Sequence, residues 1–268
     1  MTETNFRAAL ARIRGALQKT VMTTEKPFLI LQLRPEDEAS DGEYRAILSK
    51  GGLAEDRARR IRLESQSLPK GLTLDDYAGV IVGGGPGCVS DDPSTKDPIE
   101  ARAEAEIMGL MPEITARDIP FLGCCYGIGI LAHHLGGVVS KARYGEPVMA
   151  VACRVTPEGR NDPLLRGLPE RFDALVGHKE AVQYLPPNAV HLMASERCPF
   201  QMIRTGQNVY ATQFHPEADG DVFAERIRIY KNRGYFHPDE ADLLTRRCQS
   251  AQVTVPQVIL KRFVQRYG

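Results

Sequence analysis

Two short segments carry side chains able to do covalent chemistry. In Phe121-Leu122-Gly123-Cys124-Cys125-Tyr126-Gly127 an apolar run meets a helical pattern through a turn, with glycine two residues either side of Cys125. This is the spacing of a G-x-nucleophile-x-G elbow. The central residue of such an elbow takes a strained backbone conformation, and flanking side chains would strike the adjoining strand and helix, so glycine is expected to be needed on both sides. A helix opening at Tyr126 aims free N–H groups and a positive dipole end at the sulfur, which favours thiolate over thiol. Cys124 competes for the role, but it lies off the centre of the two glycines and is expected to face the core. Taken alone, the segment is explained as well by two small apolar fillers at a tight turn.

A nucleophilic thiol needs a base, and the leaving group needs an acid; one neutral imidazole serves both steps. In Val209-Tyr210-Ala211-Thr212-Gln213-Phe214-His215-Pro216-Glu217 an apolar strand ends at His215, and Pro216 biases His215 towards an extended backbone. Extended residues two apart face the same side, so Glu217 can fix the imidazole tautomer and stabilise its charged form. His178, in Gly177-His178-Lys179-Glu180, is a second candidate base in a polar loop and is better suited to substrate binding. His133, His134, His191 and His237 are expected to be structural or solvated.

Negative charge developing on oxygen calls for preorganised backbone donors. Tyr126 N–H is one candidate and Gly85 N–H, in the Gly83 to Gly87 loop, the other. That loop follows a predicted parallel strand at its carboxyl end, where ligand crevices form. A glycine loop can equally cradle phosphate, but no Walker lysine follows and Cys88 to Pro93 opens no helix, which disfavours nucleotide binding.

Short apolar runs alternating with longer helical patterns predict an α/β fold, with a mostly parallel central sheet flanked by helices. Strands are expected over 28–33, 79–82 and 120–123, with an edge strand around Ile61 and Leu63. Helices are expected over 41–50, 99–117 and 126–135, the first and last closed by glycine pairs. From residue 147 to 213 the chain is richer in strand, at 148–155, 172–176, 191–194, 200–203 and 209–214, which predicts an antiparallel addition. After Asp219 it turns helical, over 222–231, 239–248 and 256–267.

Lysine plus arginine equals aspartate plus glutamate, 34 against 34, so no global field draws the chain to nucleic acid or an anionic membrane. No apolar run approaches the roughly 18 residues that span a bilayer. The expected partner is a small molecule or a protein, a second copy of the chain included. The six cysteines form no C-x-x-C pair and no zinc or disulfide spacing, which fits reduced cytoplasm; no metal or cofactor is expected. Residues 5–19 carry Arg7, Arg12, Arg14 and Lys19 without an acid, as a frayed helical extension or an organelle-targeting leader would, and Met22 is an alternative start.

Together the glycine loop, PFLGCCYGIG, LVGHKE and ATQFHPE resemble the class I glutamine amidotransferases, especially the glutaminase portion of GMP synthase, over roughly residues 28–219. The resemblance implies a flavodoxin-like fold and a catalytic triad of Cys125, His215 and Glu217. It implies Gly85 and Tyr126 as oxyanion donors, and Gly87 with Gly177, His178, Lys179 and Glu180 as binders of the amino-acid end of glutamine. The family reaction releases ammonia from glutamine through a γ-glutamyl thioester and passes it to a synthase domain or subunit. Two departures stand out. The family glutamine that contacts the substrate side chain, in G-x-C-x-G-x-Q, is here Gly129, which is expected to leave extra room. No synthase domain is expected after His215, and any acceptor enzyme is expected to be another chain. The expected organisation is an extension over 1–26, an amidotransferase-like domain over 27–235 and a helical tail over 236–268 packed on it. Three readings compete: a stand-alone glutaminase, a γ-glutamyl hydrolase using the room at Gly129, and a binding or regulatory subunit with little activity.

Overall fold

The computed structural model describes residues 25–268; the segment around Arg7 to Met22 lies outside the described residues. Among the described residues the strands are β1 Phe28–Gln32, β2 Ala58–Arg62, β3 Gly79–Val82, β4 Phe121–Cys124, β5 Val139–Ser140, β6 Glu146–Val155, β7 Arg171–His178, β8 Ala181–Val182, β9 Val190–Ala194, β10 Met202–Thr205 and β11 Val209–Thr212. The helices are α1 Asp37–Gly51, α2 Pro98–Ala116, α3 Tyr126–His134, α4 Pro157–Arg160, α5 Gly220–Tyr230, α6 Ala241–Ser250 and α7 Val255–Tyr267.

Nine strands form one sheet in the order β2-β1-β3-β4-β11-β10-β9-β6-β7. The first five run parallel and the last four antiparallel, so the antiparallel addition continues the parallel sheet rather than standing beside it. β1, β3 and β4 are buried on both faces, which is why they read as unbroken apolar runs. Phe28, Ile30, Ile81 and Leu122 pack on one side with Ile47 of α1 and Ile259, Leu260 and Phe263 of α7. Leu29, Leu31, Val80, Val82 and Phe121 pack on the other with Ile107 and Met111 of α2 and Ile128 and Leu131 of α3. The tail helix thus completes the core: the Phe263 ring lies 5.9 Å from Phe28 and 6.5 Å from Tyr210.

Some boundaries differ from expectation for local reasons. α1 begins at Asp37, where Asp37 and Glu38 suit the positive end of the helix, and ends against Gly52 at φ 65°. The strand expected over 200–203 is shifted to Met202–Thr205, beyond Pro199. The β5–β8 pair and single-turn α4 are shorter than any readable periodicity.

The topology positions the site. β4 and β11 are parallel neighbours, with Thr212 opposite Cys124. Residues just past their carboxyl ends, Cys125 and the run to Glu217, therefore emerge side by side. β3 lies on the other side of β4 and delivers the Gly83 to Gly87 loop to the same end of the sheet.

Candidate active site

Cys125 caps α3 with φ 53° and ψ −88°, a backbone region that strains any side chain. Its N–H donates to Thr212 O at 2.7 Å, tying the elbow to β11. A Cβ on Gly123 would lie 2.8 Å from the Gly127 carbonyl carbon and oxygen, so glycine is required there. The expectation of a matching need at Gly127 is corrected, because a Cβ there would meet Val82 at an ordinary 3.7 Å. Gly123→Ala is therefore expected to cost about 3 kcal/mol, and Gly127→Ala to change stability by less than about 1 kcal/mol, as read from urea midpoints. Cys124, 1% exposed, faces the core as expected.

His215 and Glu217 are both buried, and His215 Nδ1 lies 2.8 Å from Glu217 Oε1. Arg226 of α5 donates through Nη2 to the same carboxylate oxygen at 2.8 Å, and its Nη1 lies 3.1 Å from His215 Nδ1. A carboxylate offers no proton, so the hydrogen on His215 is assigned to Nδ1 facing Glu217, which leaves the Nε2 lone pair free. Burial pushes His215 below the usual histidine range; Glu217 opposes this, while Arg226 and Arg34 add to it. Burial alone would raise the Glu217 carboxyl, but His215 and Arg226 outweigh it and hold Glu217 well below the usual carboxylate range.

Cys125 is half-buried, and desolvation pushes its thiol up to about 12, against the pull of Arg34. Burial thus opposes the thiolate that the helix dipole favours. A thiol that gives its proton to an imidazole needs that imidazole neutral beforehand. The acid limb of kcat/KM is expected below the ordinary histidine value of about 6.5, with a plateau running through pH 9. Ultraviolet difference titration against Cys125→Ala is expected to show no thiolate at neutral pH.

Behind His215 lies a buried charge cluster that sequence reading missed. Glu43 of α1 accepts Arg34 Nε at 2.8 Å, Gln32 Nε2 at 3.0 Å and the Gly84 N–H at 3.1 Å, with Arg226 Nη2 3.7 Å away. Arg34 Nη1 also donates to Tyr230 at 3.3 Å. An acid in the apolar stripe of α1 and an arginine just past β1 were the available signals.

Cys125, His215, Gly85, Gly177, Arg34 and Arg226 line one small cavity, roofed by Tyr235 and Phe236. A second pocket holds Gly85, Gly87, Cys125, Tyr126 and the 177–180 loop, again beneath Tyr235. Both cavities are small, about 50 and 20 Å³, and Tyr235 lines each of them. Gly234, at φ 74°, supplies the turn beside it, and Lys179 Nζ sits 4.6 Å over the Tyr235 ring. Tyr235→Ala is expected to speed iodoacetamide labelling of Cys125 about tenfold, followed by mass spectrometry.

As the first residue of α3, Tyr126 has no intrahelical acceptor for its N–H. Its hydroxyl is held by Glu104, which Lys96 pairs at 2.6 Å. A Cβ on Gly87 would fall 1.7 Å from Glu100 Oε1, so the Glu100 side chain would have to swing aside to admit one.

Three expected binders are used otherwise. His178 Nδ1 lies 2.8 Å from Glu180 O and Nε2 2.9 Å from Glu146 Oε2, so both ring nitrogens are engaged within the protein. The Glu180 carboxylate accepts Val89 N–H, Ser90 N–H and Ser90 Oγ at 2.7 to 2.9 Å, bracing the chain after the glycine loop. Gly129 lines neither cavity, and the extra room expected there is absent: a Cβ would lie 3.0 Å from Glu180 Oε1 and 3.2 Å from Val89.

Glu146, His178 and Cys198 bring potential ligand atoms within 4.8 Å of one another, an unforeseen donor set of the kind zinc takes. Glu146 is already engaged by His178, by Gln201 at 2.7 Å and by Ser195 at 3.0 Å. The group reads as a buried hydrogen-bonded anchor for the 177–180 loop. Among the described residues, no helix is long and apolar enough to cross a membrane.

A GMP synthase [glutamine-hydrolyzing] of Thermosipho africanus is 33% identical over 156 residues, covering 56% of this chain and 26% of that protein. That of Lactobacillus delbrueckii subsp. bulgaricus is 32% identical over 168 residues, 59% of this chain and 29% of its own length. The chain therefore matches between a quarter and a third of these relatives. A glutamine amidotransferase structure from Thermotoga maritima superposes with TM-score 0.66 at 21% identity, covering 89% of this chain and 98% of the other. One from Methylobacillus flagellatus does so with TM-score 0.66 at 19% identity, over 91% and 96%. These two share the fold. The family model for glutamine amidotransferase class-I matches residues 55–229, most of the chain, and the protein belongs to that family.

Proposed function

We propose that the protein hydrolyses the side-chain amide of glutamine to glutamate and ammonia, with Cys125 as nucleophile, His215 as base and acid, and Glu217 as orienter. The observation that carries this reading is the cavity shared by Cys125 and His215, with Glu217 2.8 Å behind the imidazole. Cys125 Sγ attacks the amide carbon as His215 Nε2 takes the thiol proton. The oxyanion is met by the N–H groups of Gly85 and Tyr126. His215 returns the proton to the departing nitrogen, releasing ammonia and leaving a γ-glutamyl thioester. Water, deprotonated by His215, then attacks the thioester, and glutamate leaves as the thiol is restored.

Gly87, Gly177 and Lys179 are the proposed holders of the amino-acid end, Lys179 exchanging the Tyr235 ring for the substrate carboxylate. The ammonia is proposed to pass to a separate synthase chain, by analogy with the GMP synthases matched, and six unpaired cysteines favour a reducing compartment. The γ-glutamyl hydrolase reading loses its motive, since Glu180 and Val89 fill the space at Gly129. Ammonia and glutamate release from glutamine, compared with hydrolysis of a γ-glutamyl dipeptide, tests the proposal. Glutamine is expected to be the better substrate; turnover of the dipeptide alone would reverse the reading, and turnover of neither would favour a regulatory subunit.

A further inference from the structure

The triad belongs to a cluster of four buried charges, three of which no triad requires. Arg34, Arg226, Glu43 and Glu217 are each no more than 8% exposed in their side chains, and their charges sum to zero. Glu43 touches neither the cavity nor His215. Burying a carboxylate and two guanidinium groups is costly unless they are matched, and packed apolar residues commonly serve stability as well. The arrangement therefore calls for an explanation beyond stability.

We propose that Glu43 and Arg226 are positioning residues that set the basicity of His215 by charge balance, and that Glu43 links this balance to the oxyanion loop. The proposal rests on the assignment of His215 as base. Arg226 holds the Glu217 oxygen that faces His215 and lies 3.1 Å from the ring nitrogen. Glu43 sits on the far side of Arg226, at 3.7 Å, and offsets its charge. The same Glu43 oxygen accepts the Gly84 N–H, fixing the peptide unit immediately before the Gly85 donor. A Cβ on Gly84 would lie 2.7 Å from His215 Cε1 and 2.8 Å from Arg34 Nη2, so loop, base and charge cluster are in direct contact.

The ionisable neighbours of the imidazole come from every element packed around it. Glu217 follows it in the chain; Arg226 comes from α5, with Tyr230 behind Arg34. Arg34 comes from the end of β1, Glu43 from α1 and Cys125 from the elbow, with Tyr235 in the roof. When His215 takes the thiol proton, one positive charge is added to a neutral cluster. Losing Glu43 leaves an excess positive charge at that moment, and losing Arg226 leaves an excess negative one. The two substitutions must move the base in opposite directions, which a purely structural role does not do.

The test is the His215 titration, by NMR of labelled histidine and by the acid limb of kcat/KM, in the intact protein. Glu43→Gln, which keeps the size and an acceptor for Gly84, is expected to move the titration down by about one pH unit. Arg226→Met is expected to move it up by about as much. Combining the two restores the balance and returns the titration towards wild type. Arg226→Lys, which keeps the charge, holds the wild-type titration even where kcat falls, and covers the case in which Arg226→Met does not fold. Shifts of the same sign in both variants, or none in either, overturn the proposal. A wild-type protein that turns over no glutamine defeats the glutaminase reading instead, and the NMR titration still decides the charge-balance claim.

Discussion

Cys125→Ala is expected to abolish ammonia release from glutamine, by about four orders of magnitude or more, while leaving the unfolding midpoint near wild type. The effect is total because no other group in the cavity can form the acyl bond: among its lining residues, Cys125 is the one with a nucleophilic sulfur. Stability is spared because the strained φ of 53° belongs to the backbone turn, and alanine inherits it without filling new space. Cys124→Ala gives the reverse pattern. That side chain lies in the core beside Leu122 and Tyr210, so its loss is expected to cost about 1 kcal/mol with turnover largely retained. Steady-state ammonia release together with urea unfolding of both variants separates the adjacent cysteines. Equal loss of activity in both would show that the elbow depends on shape rather than on one sulfur.

Glu217→Gln is expected to lower kcat by about 10³ to 10⁴ and to destabilise the fold by about 3 kcal/mol. The two effects have one origin. Oε1 of Glu217 receives both His215 Nδ1 and Arg226 Nη2 at 2.8 Å. An amide oxygen can still accept one proton from the ring, but it cannot balance the imidazolium that forms in the transition state. Arg226 is left in a buried setting with Glu43, 3.7 Å away, as its remaining carboxylate. An uncompensated buried charge is the costly outcome. A flipped amide would also present N–H to Nδ1 and select the tautomer whose Nε2 is protonated and unable to accept from the thiol. Single-turnover kinetics locates the loss in acylation if the account is right, with substrate affinity little changed. A variant with wild-type kcat would remove Glu217 from the mechanism.

The parts of the site that could be read from sequence are those fixed by short-range sterics. The elbow needed only Gly123, Cys125 and an apolar run before them, and His215-Pro216-Glu217 needed only the alternation of an extended chain. What could not be read depends on partners distant along the chain. Glu43 and Arg226 meet across α1 and α5, and neither lies in a motif. Tyr235 lines both cavities from the connection between α5 and α6, more than a hundred positions after Cys125, where no local pattern could place it. The room expected at Gly129 was a local inference, and Glu180, which fills it, sits 51 positions later. The desolvation that opposes a thiolate at Cys125 was hidden for a related reason: the helix dipole is visible in the sequence, whereas burial comes from the assembled fold. Strands β1, β3 and β4 were legible because burial on both faces leaves an uninterrupted apolar run, but the two-residue β5 and β8 carry too few side chains to show a period.

In the proposed reaction the sulfur of Cys125 and the imidazole of His215 act together on one amide. Rapid acid quench of the protein during turnover of glutamine, followed by peptide mapping, addresses it directly. A γ-glutamyl adduct is expected on the peptide carrying Cys125, formed in wild type and essentially absent in His215→Ala. Turnover with no adduct at Cys125, or an adduct that forms equally fast without His215, would contradict it.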